Sequence, residues 1–267
     1  MTRNILVLSD IHVGSLVGLL HPKNSVFSAR NGDELRWVPN KTQMALWYHW
    51  KKMLAAIDAL KLEAIIINGD VCEGPQRSSQ GLYTITSDMK YQADLAVQLL
   101  ETLPKKVPKY FTQGTFYHSV EDRPIEQYIA ERLDAEFGDD LIVEAAGIRA
   151  HCSHHESVSS SSWQYRTTPI ARDLLLTALH DAEDKYGKID AVIRSHAHYF
   201  VEVQFKSQLG LITPCWQARG TYSVKKNIIS PPDIGWLIMK IEHKDCIAVD
   251  KSGVTHIGRP SRVVGSG

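Results

Sequence analysis

The chain has 267 residues, and its 30 Lys and Arg are matched by 30 Asp and Glu. A composition of 43% hydrophobic and 22% charged residues excludes wholesale disorder, and zero net charge argues against a protein that coats nucleic acid through bulk attraction. The longest apolar runs are about six residues, far short of the roughly 20 a membrane span needs. Only four strongly apolar residues separate Asn4 from Ser9 and Asp10, too few for the core of a secretory leader. Cys72, Cys152, Cys215 and Cys246 are widely spaced and form no C-x-x-C pair, so reduced thiols and a cytoplasmic location are expected. The unusual number is the 12 histidines, because imidazole is the commonest metal ligand.

In chain order, Asn4–Ser9 carries Ile5, Leu6, Val7 and Leu8 in an unbroken run, the pattern of a strand buried on both faces. Gly14–Asn40 is rich in Gly, Ser, Asn and Pro and holds no period, which predicts a long loop of a kind that is uncommon without a function. Thr42 can cap a helix to about Leu60, with Met44, Trp47, Met53, Leu54, Ile57 and Leu60 at helical spacing. Ala64–Ile67 reads as a second buried strand, Ser87–Leu103 as an amphipathic helix, Lys109–Thr112 as a third strand and Pro124–Phe137 as a further helix. Short strands are expected near Leu141–Glu144 and Ile148–Ser153, then a helix over Pro169–Tyr186 and a strand over Ala191–Arg194. Alternating β-structure follows over Phe200–Lys206, Leu211–Gln217, Trp236–Glu242 and Cys246–Asp250. Strand–helix alternation followed by antiparallel strands predicts an α/β sandwich with mixed sheets, one domain over residues 1–258 with a loose tail at 259–267.

Chemistry gathers where strands end. The segments are Asp10-Ile11-His12, Gly69-Asp70-Val71-Cys72-Glu73, Gly114-Thr115-Phe116-Tyr117-His118, His151-Cys152-Ser153-His154-His155 and Ser195-His196-Ala197-His198. Singly each is commonplace: Gly-Asp is usually a turn, and a His-x-His pair can simply alternate across a strand. Ligands of open α/β sheets bind outside the carboxyl ends of the strands, so five such ends bearing carboxylate or imidazole point to a polynuclear metal site on one rim.

This ordered set, D-x-H, then G-D-x-x-E, then G with a following H, then H, then S-H-x-H, resembles the calcineurin-like metallophosphoesterases over Ile5 to about Gln217. The resemblance implies a four-layer α/β/β/α sandwich with two mixed β-sheets. It also implies that Asp10, His12 and His198 hold one metal, that Asp70 bridges to a second, and that His196 and a histidine of the 151–155 cluster complete the second site. Strand alternation through Ile148, Ala150, Cys152 and His154 selects His154, with His151 and His155 as alternatives. Glu73 matches the position that supports the bridging aspartate. Two departures stand out. Thr115 occupies the place of a ligand Asn, as a weak ligand or a supporting group, and His118 comes three residues later, where it can act as the catalytic acid. Ser195 replaces the commoner Gly.

The implied reaction is in-line hydrolysis of a phosphomono- or phosphodiester by hydroxide bound to a dinuclear centre, with Asp70 and His118 as the catalytic pair. Two divalent ions are implied. Imidazole and carboxylate donors favour Mn²⁺ first, with Zn²⁺, Fe or Ni²⁺ behind it, over Mg²⁺. The partner is a phosphate-ester substrate, nucleotide or nucleic acid among the candidates, with no membrane and no expectation of oligomeric state. Arg77, Arg166, Arg172 and Arg219 are candidates to pair with phosphate oxygens, Arg166 before the others. Tyr117 is placed to line the pocket, and Trp163, Tyr165 and Trp216 to stack a base, although Trp216 sits in an apolar stretch that suits a core. The alternative is a non-catalytic scaffold of the same fold, for which Thr115 is the single argument.

Overall fold

The computed structural model describes residues 2–27, 32–75, 81–116, 119–120, 122–154, 163–182, 187–220, 231–244 and 246–257. The β-branched runs of β1 (Arg3–Leu8) and β4 (Leu62–Asn68) pair in parallel, with Ile5 opposite Ala64 and Leu8 opposite Ile67. Alternate residues of these strands face two different apolar layers, which is why the runs are continuous and not alternating. Two-residue strands β2 (Val26–Phe27) and β3 (Glu34–Leu35) pair within the stretch expected to be loop throughout.

Helix α1 (Lys41–Asp58) begins two residues earlier than its sequence suggests, because Asn40 and not Thr42 is the cap. The Asn40 side chain accepts from the backbone N–H groups of Thr42 and Gln43, and Gln43 Oε1 accepts the Asn40 N–H in return, a reciprocal box that satisfies otherwise orphaned donors. Its buried stripe is Gln43, Leu46, Trp50, Met53 and Ile57, so Trp47 and Leu54 flank the core instead of filling it. Asn40→Ala is expected to cost about 1 kcal/mol, read as a shift in the urea unfolding midpoint at unchanged slope.

Helix α2 (Met89–Leu100) and strand β5 (Lys109–Thr112) follow, then the small pair β6 (Ser119–Val120) and β7 (Arg123–Pro124). Helix α3 covers Ile125–Arg132 only. The expected continuation to Phe137 fails because Asp134 turns left-handed at φ 52°, and β8 (Glu136–Gly138) then joins the sheet parallel to β5. Strands β9 (Asp140–Ala145) and β10 (Ile148–Ser153), helix α4 (Thr168–Ala182) and β11 (Ala191–Arg194) come next. A hairpin of β12 (Val201–Phe205) and β13 (Gln208–Ile212) leads to β14 (Leu237–His243) and β15 (Cys246–Asp250). The strand expected over Leu211–Gln217 is displaced: β13 stops at Ile212, just before Thr213-Pro214, where Pro has no N–H to continue a ladder.

One sheet has the order β15-β14-β1-β4-β5-β8 and the other β12-β13-β11-β10-β9. Both are mixed: the first is antiparallel at its β15-β14-β1 end and parallel from β1 to β8, and the second has a parallel centre with antiparallel edges. Their facing sides meet in a core of Ile5, Val7, Ile66, Val143, Ile148, Ala150, Cys152, Ile193, Leu211 and Met239. Helices α1, α2 and α3 cover the outer face of the first sheet over Leu6, Leu8, Ile65, Ile67 and Phe111. Helix α4 covers the second through Ile170 and Leu174 against Val192 and Ile212. The layering is α/β/β/α, as the sequence implies.

At one end the core gives way to small polar groups. Ser9 and Ser195 hydroxyls both lie on Thr213 Oγ1, at 2.6 and 2.8 Å. Asn68 Nδ2 donates to Ser195 Oγ and to the Ser153 carbonyl, and Thr112 Oγ1 donates to Asn68 Oδ1. These residues end β1, β4 and β5 of one sheet and β10, β11 and β13 of the other, so a satisfied buried network joins the carboxyl ends of both. The chemistry-bearing turns sit directly beyond this floor. Among the described residues no helix is long and apolar enough to cross a membrane.

Candidate metal centre

The turn after β1 lies against the turn after β4: Asp10 N–H donates to the Gly69 carbonyl, His12 N–H to Asp70 and Val13 N–H to Val71. The turn after β10 meets that after β11 through Ser195 N–H on the His154 carbonyl. Asp10 then reaches across the sheets, its Oδ2 accepting the His196 N–H at 3.2 Å. The outcome is two groups of side chains, Asp10, His12 and His198 in one and Asp10, Asp70, His154 and His196 in the other, each with donor atoms close enough to hold a metal ion. Asp10 is common to both, whereas the resemblance assigns the bridging position to Asp70.

Backbone strain marks the same residues. Among the described residues nine non-glycine residues have positive φ, and five of them are Asp10 (47°), His12 (52°), Asp70 (45°), His196 (69°) and His198 (55°). Each costs on the order of 1 kcal/mol relative to ordinary backbone. Sharp turns immediately after the strands fold successive side chains back over the rim, and the cost is tolerated because the side chains converge there. Gly69 and Gly114 leave room for the convergence. A Cβ on Gly69, itself at φ 77°, would lie 2.5 Å from His154 Nδ1, and one on Gly114 would lie 2.4 Å from Asp70 Oδ1.

Hydrogen bonds fix which nitrogens are available. His154 Nδ1 donates to the Asn68 carbonyl at 2.8 Å, so Nε2 is the nitrogen turned to Asp70 Oδ2, at 3.2 Å. His12 Nδ1 lies 2.9 Å from Glu73 Oε2, which favours the hydrogen on Nδ1 and leaves Nε2 as a donor atom, a carboxylate–histidine arrangement common behind metal ligands. His12 Nε2 faces His198 Nε2 at 3.1 Å. Asp10 Oδ1 is buried and, among the described residues, accepts no hydrogen bond of good geometry, although His198 Nε2 is 3.3 Å away. Ring nitrogens turned on two buried carboxylates need positive charge between them, protons on His154 and His198 in the metal-free protein or divalent ions in their place, and imidazole with carboxylate is a donor set that fits such ions.

The electrostatics agree. Burial alone would lower the pKa of His154, but the Asp70 and Asp10 carboxylates raise it to about 9. Burial opposes ionisation of Asp70, yet His154 and His196 hold it well below the usual carboxylate range. Asp10 is likewise lowered, by His154 and His198 against its burial. His198 is raised well above its ordinary value against its own burial, by Cys215 and Asp10.

Thr115 directs both its donors at Asp70, the backbone N–H to Oδ1 at 2.6 Å and the hydroxyl to Oδ2 at 2.9 Å, and so orients a carboxylate. Glu73, expected to support Asp70, finds His12 as its partner, because the turn after β4 runs alongside the turn after β1. Gln217 Nε2 in turn donates to Glu73 Oε2 and to Ser15 Oγ. His151 points away from the centre to Asp140 and Arg194. Arg166 lies over the ring of Tyr199, 4.5 Å from its centroid and one residue beyond His198. Trp216 is fully buried, near parallel to Trp236 with centroids 6.1 Å apart, and is core. Tyr117, His118, His155, Arg77 and the tail at 259–267 lie outside the described residues. Three residues the sequence left unmarked sit at the centre: Cys215 against His198, Gln217, and Glu126, whose carboxyl is pushed up to about 7 by burial and by Asp70. Position just past β13 was the available signal for the first two.

Two mixed sheets between helices, with these turns meeting on one rim, decide the architecture. The fold is a four-layer α/β/β/α sandwich. No protein-family model matches the chain, and no curated protein matches it. Solved structures similar to this chain include a novel archaeal phosphodiesterase, at 12% identity over 94% of this chain and 99% of that one, with a TM-score of 0.47. Vps29 from Cryptosporidium parvum shows 11% identity over 97% and 99% of the two chains and a TM-score of 0.46. Vps29 from Entamoeba histolytica complexed with Zn²⁺ shows 10% identity over 90% and 86%, with a TM-score of 0.43.

Proposed function

We propose that this chain is a calcineurin-like metallophosphoesterase, a single-domain cytoplasmic enzyme that hydrolyses phosphomono- or phosphodiesters, with nucleotides and nucleic acid among its candidate substrates. The observation that carries the reading is the pair of Asp/His groups sharing buried Asp10, with their ring nitrogens and carboxylate oxygens turned on one another. Asp10, His12 and His198 would hold one divalent ion and Asp70, His154 and His196 the other, with the two carboxylates between them. Mn²⁺ is the first candidate, ahead of Zn²⁺, Fe and Ni²⁺. Such ions supply positive charge for the phosphoryl oxygens and lower the pKa of water. The chain supplies the rest. Thr115 and Glu73 hold Asp70 and His12 in place. In this reading Arg166 pairs with a phosphate oxygen, Tyr117 lines the pocket and His118 protonates the leaving oxygen.

A scaffold without catalysis is favoured by one observation, that the Thr115 hydroxyl is committed to Asp70 where the family has a ligand Asn. One assay separates the readings: protein stripped with chelator, refilled with Mn²⁺, Zn²⁺, Ni²⁺ or Mg²⁺, and offered bis-p-nitrophenyl phosphate and p-nitrophenyl phosphate. Turnover restored by metal is expected, and the ratio of the two rates ranks diester against monoester. Stoichiometric metal with no turnover would favour the scaffold, and no bound metal would overturn the enzyme reading.

A further inference from the structure

Glu126 sits in the first turn of α3 and is fully buried. A carboxylate is almost never enclosed without a partner, yet among the described residues no Lys or Arg forms an ion pair with it. Its hydrogen-bond partner is a backbone amide: Oε1 accepts the Val71 N–H at 3.2 Å, while Oε2 is buried and accepts no hydrogen bond among the described residues. Val71 follows Asp70, whose carboxylate is oriented by the two donors of Thr115. The ladder between β4 and β5 ends at Asn68 opposite Thr112. Beyond that point the two turns have separated, and the Gln113 N–H has gone to the Gly138 carbonyl. Glu126 therefore stands where strand pairing has stopped, and ties the Asp70 turn to the first turn of α3.

Resting on the metal-centre reading above, we propose that Glu126 is a positioning residue: it anchors the turn after Asp70 to α3 through the Val71 N–H and so sets the aim of the Asp70 carboxylate. What it contributes is a hydrogen-bond acceptor of the right reach, because the group it meets is a neutral N–H donor. A Gln retains that acceptor and its length. An Asp retains the charge but is one methylene too short to reach the Val71 N–H, and a Met fills the volume with no acceptor.

The test is Zn²⁺ and Mn²⁺ affinity by calorimetry on chelator-stripped full-length protein, with circular dichroism and thermal unfolding on the same samples. Glu126→Gln is expected to bind within about threefold of the parent. Glu126→Asp and Glu126→Met should bind about 10- to 100-fold more weakly, the range for removing groups that orient ligands, while remaining folded at the assay temperature. A merely structural role would lower the unfolding temperature and leave metal affinity alone. Parent-like affinity in folded Glu126→Asp would overturn the proposal, as would a Gln variant as weak as the Asp variant. Should Glu126→Met fail to fold, the Gln and Asp pair decides. Failure of the parent to bind metal would instead overturn the metal-centre reading, and this proposal with it.

Discussion

Asp70→Asn is expected to lose metal-restored hydrolysis by at least about a hundredfold, since even groups that only orient a ligand cost 10- to 100-fold, while its far-ultraviolet spectrum stays that of the parent. The argument lies in the hydrogens. Both oxygens of Asp70 are acceptors, one taking the Thr115 N–H and the other the Thr115 hydroxyl. An asparagine must put its NH₂ on one side. Facing the Thr115 N–H it opposes donor to donor. Turned the other way it presents a hydrogen to His154 Nε2, the nitrogen a metal needs because Nδ1 is committed to the Asn68 carbonyl. His196→Ala should fail for the simpler reason that a donor is missing. Retained turnover in both variants, measured on the same two nitrophenyl esters, would sink the assignment of this rim as the active site.

The second large effect is in stability against pH. The His154 imidazole has a pKa of about 9 in the folded metal-free protein and about 6.5 in the unfolded chain. Below 6.5 both states are protonated, and the stabilisation from a cationic His154 between Asp70 and Asp10 is fully present. As pH rises from 6.5 through 9 the folded state gives up that proton and the stabilisation disappears, a loss on the order of 3 kcal/mol. Glu126 adds a slope of the same sign lower down, because its folded carboxyl at about 7 takes up protons that the unfolded chain has already released. Urea unfolding of chelator-stripped protein at pH 6.5, 8 and 9.5 should show the decline. Protein loaded with Zn²⁺ should not, because a nitrogen bound to metal has no proton to lose. Equal slopes with and without metal would place the ion elsewhere.

Much of the scaffold was legible because burial on two faces leaves a plain mark. Ile5–Leu8, Ala64–Ile67 and Ala191–Ile193 are continuous apolar runs, and each emerges in a central parallel strand. Where two local signals compete, the sequence is less decisive. Asn40 and Thr42 can both cap a helix, and only the reach of Gln43 back to the Asn40 amide favours the first. The stretch from Pro124 to Phe137 is helical by period until Asp134 turns left-handed and releases β8 to the sheet. At the rim, alternation along β10 distinguishes an outward His151 from an inward His154, and the structure places them so. Glu126 was illegible for a different reason. It lies more than 50 residues from the turn it holds (Val71 is its partner, 55 positions away), on a helix whose own pattern explains its place. Which histidine Glu73 serves was hidden likewise, in the juxtaposition of two turns.

The five left-handed residues at the rim carry a thermodynamic consequence for the whole chain. At about 1 kcal/mol each, they sum to about 5 kcal/mol, comparable with the entire net stability of many folded domains. Glycine at any one of these positions would relieve the local strain and remove a donor atom in the same stroke. At pH 9.5, where the His154 proton that pairs with Asp70 and Asp10 has been lost, stabilising substitutions found by screening metal-free protein should therefore accumulate at Asp10, His12, Asp70, His196 and His198, whereas a screen run with metal present should leave those five positions untouched.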